Sequence, residues 1–340
     1  MAIEWEVLGR PGADNALHLT VDTGQSRESV LFDCGEAVLD SLRQAEIQSV
    51  SHLCFSHFHM DHIAGFDGFF RRNYNRPDGP VCVWGPVGTI TLMEHRFHGF
   101  TWNLHEGQPG EWIVREIDGD LVRTARFLTR EAFSPAHHQP DIPCDGRIVH
   151  SAPSWQLETF SLPHGGITSL GYRLVETDKQ NIDPVAMHRG NYLPGPWLRE
   201  VIESDDAEES LVEVGGRPVR VAELRKELLM TSPGDSLAYL TDFRVEPGSE
   251  IWTCLVDWLR GTGTLVCECQ YLSADKALAE KNAHLTASLA GRLAADAGVG
   301  RLVLHHLSRR YAAVDWPKLR AEAREFYPRA EFPENWGMSG

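Results

Sequence analysis

The segment SHFHMDHIAG at residues 56–65 places three histidines and one aspartate within six consecutive positions, directly after an apolar stretch. His57 and His59 lie two residues apart, so in an extended chain their side chains point the same way, about 7 Å apart. Asp61 and His62 follow where the strand must turn into a helix. Burying these groups without partners would cost several kcal/mol. The pattern therefore predicts two cations about 3.5–4 Å apart, with a bridging hydroxide suited to a displacement at phosphorus or carbon.

Two metal ions need more ligands than one turn supplies, and three further candidates end apolar strands. His164 ends SLPH, Asp242 ends AYLTD, and the pair His305 and His306 ends RLVLHH. Open α/β sheets place their sites outside the carboxyl ends of strands, so these residues are expected at the same edge. Asp242 could bridge both ions. An imidazole-rich set favours zinc, with manganese or iron as alternatives. The remaining histidines lack this placement and are interpreted as surface or core residues: His18, His52, His95, His98, His105, His137, His138, His150 and His188.

Alternating strand and helix patterns predict an α/β fold. The first half is predicted to hold strands at 3–8, 16–22, 29–33, 50–55, 81–85, 112–128 and 147–161, beginning as an antiparallel meander, with helices at 36–44 and 62–71. The second half is predicted to hold strands at 236–242, 264–269 and 301–306, and helices at 249–260 and 275–298 with a break near Asn282. Strands that alternate with helices indicate parallel pairing. Residues 328–340 are predicted to form a tail on the surface.

Residues 179–235 differ in character from the rest of the chain. They contain NYLPGPW, the acidic run ESDDAEE at 203–209 and many turn residues. This pattern predicts a protruding arm or lid inserted into one domain that spans 1–340.

The formal net charge of −16 argues against a broadly basic surface of the kind that nucleic-acid binders show. Any contact with phosphates must come from a local patch. The chain has no apolar run of roughly 18 residues and no basic and apolar leader at its N-terminus, so we expect no membrane span and a cytoplasmic location. The seven cysteines are scattered and odd in number. This arrangement is typical of reduced core thiols.

The motif His57-x-His59-x-Asp61-His62, followed in order by His164, Asp242 and a later histidine, resembles the signature of the metallo-β-lactamase superfamily. Within it the chain is most similar to the ribonuclease Z family, over nearly its whole length. The similar stretches are LFDCGE, FSHFHMDHIAGFDGFF, LPHGGITSLGYRL, YLTDF, the Glu268 segment, AHLTA and LVLHHLSRRY. The resemblance implies a four-layer αβ/βα sandwich and endonucleolytic removal of the 3′ trailer from precursor tRNA, by a homodimer in which the arm of one subunit serves the other.

The resemblance also assigns roles to individual residues. It implies one zinc held by His57, His59 and His164, a second held by Asp61, His62 and His306, and a bridging Asp242. His306 is chosen over His305 because Ser308 and Arg310 follow it at the spacing of the family, where they would hold the scissile phosphate. His284 in AHLTA matches the proton donor and Glu268 its hydrogen-bonding partner, while Asp61 would orient the attacking hydroxide.

Three departures keep the substrate open. The loop LGRPGADN at 8–15 differs from the family pattern beneath the metals, and residues 97–150 are longer than expected and could cap the site. Residues 179–235 hold seven Lys or Arg against eleven Asp or Glu, a net charge of −4 that opposes binding to phosphates. The alternative is therefore a hydrolase of small phosphodiesters or esters with the same metals and His284, and the acidic arm as a lid or dimer contact.

Overall fold

The computed structural model describes residues 3–22, 27–204 and 210–338. Their strands are β1 (Glu4–Gly9), β2 (Asn15–Asp22), β3 (Arg27–Phe32), β4 (Val50–Cys54), β5 (Val81–Pro86), β6 (Glu111–Asp118), β7 (Leu121–Leu128), β8 (His137–His138), β9 (Ile142–Pro143), β10 (Ile148–Ser151), β11 (Trp155–His164), β12 (Ile167–Glu176), β13 (Lys179–Ile182), β14 (Leu211–Val214), β15 (Arg217–Arg220), β16 (Leu229–Ser232), β17 (Ser236–Leu240), β18 (Thr264–Glu268), β19 (Arg301–His305) and β20 (Ala330–Glu331). Their α-helices are α1 (Gln44–Ser49), α2 (Met60–Ile63), α3 (Phe66–Asn73), α4 (Thr89–Phe97), α5 (Pro184–Arg189), α6 (Trp197–Glu203), α7 (Val221–Leu228), α8 (Glu250–Leu259), α9 (Lys276–Asn282), α10 (Ala287–Ala297) and α11 (Trp316–Arg324).

The first sheet contains β1 to β9. Its first three strands form the predicted antiparallel meander, and β3, β4, β5 and β6 then run parallel. One face is covered by α1, α3 and α4, which bury Leu53, Phe66 and Met93 in a shared apolar cluster. Parallel strands buried on both faces need continuous apolar sequence, and the fully buried β5 has it.

The second sheet has the order β10, β11, β12, β17, β18, β19, β20. Strands β17, β18 and β19 are parallel, as predicted for the second half of the chain, and β20 pairs in parallel with β19. Helices α8, α10 and α11 cover its outer face. Between the two sheets lies an apolar layer that includes Phe32, Trp155, Tyr172 and Val303. Helix, sheet, sheet and helix therefore form four layers.

The break predicted near Asn282 is confirmed, and its geometry places His284 between two helices. Helix α9 ends at Asn282 and is followed by Ala283, whose φ of 57° lies in the left-handed region. Helix α10 begins after Thr286, whose side chain accepts a hydrogen bond from the backbone N–H of Leu289 at 3.4 Å. A side-chain cap of this kind satisfies one of the free N–H groups of the first turn.

The predicted helix over 36–44 is wrong. A 3-10 turn spans Val38–Ser41, and α1 begins after Arg43, whose backbone N–H donates to Glu46 at 2.8 Å. This capping interaction starts the helix later than its apolar spacing suggested. The predicted helix over 62–71 is divided into α2 and α3.

The prediction of a surface tail at 328–340 is also wrong for its first part. Strand β20 pairs in parallel with β19, and Ala330 and Phe332 are buried. The short apolar segment completes the edge of the second sheet. Among the cysteines, five are buried in the core, whereas Cys144 is half-buried and Cys254 is exposed.

Residues 97–150 fill the space beneath α3 and α4 with aromatic side chains. Trp102, Trp112 and Phe133 all lie within 6.1 Å of Phe70, measured between ring centroids. Most of the aromatic residues of this segment therefore extend the core. The turn between β6 and β7, at Asp118 and Gly119, instead lines a pocket next to His57 and His59.

Residues Glu176–Gly234 form a second compact unit. The pairs β13–β16 and β14–β15 are antiparallel, and α5, α6 and α7 bury a small core that includes Trp197, Val201 and Leu224. Of the acidic run at 203–209, residues 205–209 lie outside the described residues. Within the described residues, no helix is both long and apolar enough to cross a bilayer.

Candidate metal centre

The carboxyl ends of four strands supply the predicted ligands, and a fifth strand supplies Glu268. The 57–62 segment follows β4, His164 ends β11, Asp242 follows β17, Glu268 ends β18 and His306 follows β19. Asp242 and His306 at two of these ends have φ values of 49° and 55°, and Asp33, which follows β3, has a φ of 59°. A residue other than glycine in this left-handed region costs about 1–3 kcal/mol, and such strain concentrates at functional sites.

Four side chains form what we call the first ligand set: His57, His59, His164 and Asp242. One potential ligand atom from each lies within 4.8 Å of the others. Oδ2 of Asp242 lies 3.6 Å from Nε2 of His57 and 3.6 Å from Nε2 of His164. Atoms that share a tetrahedral zinc at roughly 2.0–2.2 Å are separated by roughly 3.3–3.6 Å. The spacing in the first ligand set therefore fits one cation.

Four side chains likewise form the second ligand set: Asp61, His62, Asp242 and His306. Oδ1 of Asp242 lies 3.4 Å from Nε2 of His62 and 3.3 Å from Nδ1 of His306. Oδ2 of Asp61 lies 3.5 Å from Nε2 of His306. Asp242 thus offers one carboxylate oxygen to each ligand set, which is the arrangement of a bridging ligand.

The hydrogen bonds around the histidines leave nitrogens free for cations. Nε2 of His57 and Nε2 of His62 are buried and have no hydrogen-bond partner. The Ser56 hydroxyl donates to Asp33, so it can only accept from Nδ1 of His57 at 3.0 Å. Nδ1 of His164 donates to the carbonyl of Ala283 at 3.0 Å. Fixing one ring nitrogen as a donor presents the other as a ligand, so the residues present fit a bound metal.

The buried carboxylate of Asp33 holds the residues behind the ligand sets in place, a role that the sequence analysis did not predict. Its carboxylate accepts hydrogen bonds from the backbone N–H of Ser56 at 2.7 Å and the hydroxyl of Tyr239 at 3.0 Å, and it lies 2.8 Å from Nδ1 of His62. The available signal was a carboxylate directly after the apolar strand SVLF, where burial requires partners.

The protonation of the two ligand sets follows from burial and charge. Burial, together with the charge of His62, lowers the pKa of His57 to about 2. Burial also lowers the pKa of His59. For His62 burial acts in the same direction, but Asp242 and Asp33 outweigh it and raise its pKa well above the ordinary value. Burial would raise the pKa of Asp242, yet the neighbouring His306 and His62 lower it. A neutral His57 and an ionised Asp242 are the forms that bind metals.

His284 and Glu268 meet beside the two ligand sets. Nδ1 of His284 lies 3.0 Å from Oε2 of the fully buried Glu268, whose other oxygen accepts from the backbone N–H of Phe243 at 2.7 Å. Burial would lower the pKa of His284, but the charge and hydrogen bond of Glu268 raise it to about 9. Nε2 of His284 lies 3.9 Å from Asp242. The arrangement holds a protonated imidazole next to the site.

Ser308 and Arg310 lie on the loop after β19. The backbone N–H of Ser308 donates to the carbonyl of Gln270 at 3.3 Å. The guanidinium of Arg310 lies 3.7 Å from the carboxylate of Asp275 and over the ring of Tyr311. The Arg310 side chain is 44% exposed, so it is free to exchange Asp275 for another anion. The predicted residues therefore share one loop, and a phosphate contact remains a prediction.

The altered loop at 8–15 holds this same region in place. Oδ1 of Asn15 accepts from the backbone N–H of His306 at 3.1 Å, and Asp14 pairs with Arg309 at 2.6 Å. His305, the alternative to His306, is instead fully buried, with Nε2 3.2 Å from the carbonyl of Leu240, and burial lowers its pKa to about 3. The structure thus brings His306, and not His305, to the second ligand set.

Comparisons with known proteins give a consistent result. No family model matches the chain. The chain is 42% identical over 330 residues to ribonuclease Z of Deinococcus radiodurans, with 97% of each chain covered. It is 31% identical over 301 residues to ribonuclease Z of Nocardia farcinica, covering 87% of this chain and 83% of that protein.

Solved structures show the same fold at low identity. The metallo-beta-lactamase fold protein YhfI from Bacillus subtilis superposes with a TM-score of 0.56 at 16% identity, covering 98% of this chain and 96% of that one. The short form of human tRNase Z gives a TM-score of 0.51 at 15% identity, with 91% and 93% covered. The predicted four-layer αβ/βα sandwich is confirmed.

Proposed function

Because the chain belongs to the ribonuclease Z family, we propose that it is a metal-dependent endoribonuclease that cleaves precursor tRNA at its 3′ end. The observation that carries the proposal is the position of Asp242, which faces three histidines of the first ligand set and contributes its second oxygen to the other set. We propose two divalent ions, of which zinc suits the imidazole-rich first ligand set, and manganese or iron are alternatives. Such ions, when bound, lower the pKa of water and polarise a phosphate.

We assign the remaining steps of the proposed reaction to individual side chains of this protein. Asp61 has a side chain that is 39% exposed, so its carboxylate can accept a hydrogen bond from the attacking water. His284 donates a proton to the departing 3′ oxygen, and the charge and hydrogen bond of Glu268, which raise its pKa, favour the protonated imidazole. Glu268 holds the ring of His284 in place. Ser308 and Arg310 bind the scissile phosphate, for which the planar guanidinium is suited.

The acidic arm at 179–235 is the main argument for the alternative, a hydrolase of small phosphodiesters or esters. A whole-length relative named ribonuclease Z supports the RNA substrate more strongly, since the shared region includes the arm. We propose that residues 1–340 act as one hydrolase domain with this insertion. We further propose a homodimer in which each arm serves the site of its partner, and a cytoplasmic location.

The test is cleavage of a precursor tRNA with a 3′ trailer by the metal-loaded protein, beside hydrolysis of a chromogenic phosphodiester. We expect one cut that leaves a 3′ hydroxyl on the tRNA, with a rate that falls as salt rises because phosphate contacts release counterions. His305→Gln is the matched control for His306→Gln, because the two residues are adjacent and only His306 belongs to a ligand set. Hydrolysis of the small ester without cleavage of the precursor, even at low salt, would establish the alternative.

A further inference from the structure

Both ring nitrogens of His306 face a carboxylate of the second ligand set. Nε2 lies 3.5 Å from Oδ2 of Asp61, and Nδ1 lies 3.3 Å from Oδ1 of Asp242. Ligand atoms of one tetrahedral zinc are separated by roughly 3.3–3.6 Å, so either nitrogen could share a cation with the carboxylate that it faces. The choice between the two nitrogens therefore depends on the third polar neighbour of the ring, the amide of Gln270.

Gln270 lies two residues beyond the end of β18, beside the loop that carries His306. Side chains two residues apart in an extended segment share a face, so Gln270 points to the same side as Glu268, the partner of His284. The carbonyl of Gln270 accepts a hydrogen bond from the backbone N–H of Ser308 at 3.3 Å. This bond joins the segment after β18 to the loop after β19, and the half-buried side chain of Gln270 is held against the ring of His306.

The amide of Gln270 engages Nδ1 of His306. The amide nitrogen lies 3.1 Å from Nδ1, within hydrogen-bonding distance. Each nitrogen of an imidazole has a single position in the ring plane for a proton, a hydrogen-bond donor or a metal. An amide that is hydrogen-bonded to Nδ1 therefore leaves Nε2 as the nitrogen for a cation. Nε2 is also the atom that faces Asp61, which belongs to the second ligand set alone.

Three other histidines of the ligand sets have the same arrangement. The Nδ1 atoms of His57, His62 and His164 meet the oxygen of a hydroxyl, a carboxylate and a backbone carbonyl, respectively. His306 would complete this pattern if Gln270 offered an oxygen atom. A half-turn of the amide about its terminal side-chain bond exchanges the amide oxygen and nitrogen in place. Oε1 then accepts the Nδ1 proton, and Nε2 keeps the lone pair that a cation requires.

We propose that Gln270 is the positioning residue of His306, whose Nδ1 proton its amide oxygen accepts, so that Nε2 is the ligand atom. The inference rests on the two divalent ions of the proposed function. It also distinguishes two ligands of the second set, because Nδ1 of His62 meets the carboxylate of Asp33 whereas Nδ1 of His306 meets a neutral amide. A carboxylate partner raises the basicity of a ligand histidine, so His62 should be the stronger donor to the metal.

Cadmium NMR tests the identity of the ligand atom directly. The protein is labelled with ¹⁵N in its histidine rings and loaded with ¹¹³Cd, which shows one-bond coupling only to a nitrogen that binds it. The signals that are lost in His306→Gln identify His306. We expect one-bond coupling to Nε2 of His306 and a proton on its Nδ1. Coupling to Nδ1, or to neither nitrogen of this ring, would overturn the proposal.

Substitutions of Gln270 test the positioning role without any substrate. Gln270→Leu removes the hydrogen bond, so the affinity for the second ion should fall about tenfold, the lower end of the usual effect of a partner behind a ligand. Gln270→Glu restores an oxygen acceptor and should return the affinity at least to that of the wild type. Gln156→Leu, at a half-buried glutamine on β11 outside both ligand sets, is the matched control and should change nothing.

Competition with a chelator measures these affinities. An unchanged affinity in Gln270→Leu, or equal losses in Gln270→Leu and Gln270→Glu, would indicate a packing role and overturn the proposal. Coupling to Nδ1 in a protein that cleaves precursor tRNA would refute the role of Gln270 alone. Coupling to Nε2 and the expected order of the variants, in a protein that does not cleave precursor tRNA, would support the positioning role and refute the proposed function.

Discussion

The first ligand set has three imidazoles and one carboxylate, whereas the second ligand set has two of each. The surroundings differ as well. Burial, together with neighbouring histidines, lowers the pKa of His57 to about 2, whereas Asp242 and Asp33 outweigh burial and raise the pKa of His62. Two histidines whose rings lie only 4.3 Å apart therefore have pKa values shifted in opposite directions. Imidazole favours zinc and carboxylate oxygen tolerates harder ions, so the two ligand sets should differ in the ions that they accept.

The largest effect is expected at the ligand that both sets share. Asp242→Ala should release both ions and lower phosphodiester turnover by at least about 10⁴-fold, because the lowered pKa of water is lost with them. His59→Ala, which removes a ligand of the first set alone, should reduce the metal content and leave the second ion in place. Elemental analysis checks both. Full metal content in either variant would contradict the ligand assignment.

Substitution of His284 tests whether it is a proton donor or a further metal ligand. Glu268, His284 and His306 also converge within 4.8 Å. As a proton donor, His284 should be dispensable for metal binding, and His284→Ala should slow RNA cleavage by about 10²–10⁴-fold with the metal content unchanged. A p-nitrophenyl diester should lose much less activity, since its acidic leaving group needs no proton. Equal losses on both substrates would indicate a structural or ligand role.

Asp33 touches both ligand sets, directly at His62 and through Ser56 at His57. Asp33→Asn keeps the shape and removes the charge, so we expect metal affinity to fall by about 10–100-fold, the usual effect of a partner behind a ligand. The loss should be greater for the second ligand set, where the contact is direct. Competition with a chelator measures it, and equal losses in the two sets would remove the distinction between them.

The smallest effect concerns a buried histidine within β4 that belongs to neither ligand set. His52 accepts from the indole N–H of Trp84, and its Nε2 lies 3.9 Å from Glu28. Burial, with the charges of His150, Arg115 and Arg76, lowers its pKa from 6.5 to about 3. The unfolded chain therefore binds a proton near pH 6.5 that the folded chain refuses until about pH 3. This contribution to stability is complete above pH 6.5 and is lost as the pH falls toward 3.

His52→Gln keeps a hydrogen-bonding side chain and removes this titration. Between pH 6 and 4, the unfolding free energy of the metal-free variant should fall less steeply than that of the wild type, by about 1.4 kcal/mol per pH unit at most. Urea denaturation at several pH values measures both slopes. Identical slopes would show that the buried His52 takes up a proton in the folded state as easily as in the unfolded chain.

The sequence predicted that these side chains converge because their signal is local. Costly polar residues directly after apolar strands mark the edge where parallel strands end, and this rule located His57, His59, His164 and Asp242. It could not separate His305 from His306, because two adjacent residues at a strand end differ only in the turn that follows. Here the turn is set by a left-handed φ at His306 and by Asn15, almost three hundred residues away in the chain.

Features that depend on pairing between distant segments were harder to predict. The roles of Asp33, Ser56 and Tyr239 arise where strands of the two sheets meet, and no spacing along the chain reveals them. The buried edge strand β20 was mistaken for a tail because its apolar run is short and surrounded by prolines. Helix α1 begins at a cap formed by Arg43 and Glu46, which outweighed the apolar spacing upstream.

The account depends most on two cations that share Asp242. A crystal structure of the zinc-loaded protein with anomalous scattering at the zinc edge would locate them directly. We predict two peaks about 3.5–4 Å apart, each roughly 2.0–2.2 Å from one oxygen of Asp242 and from the histidines of its own ligand set. A single peak, or two peaks of which one lacks contact with Asp242, would contradict the account.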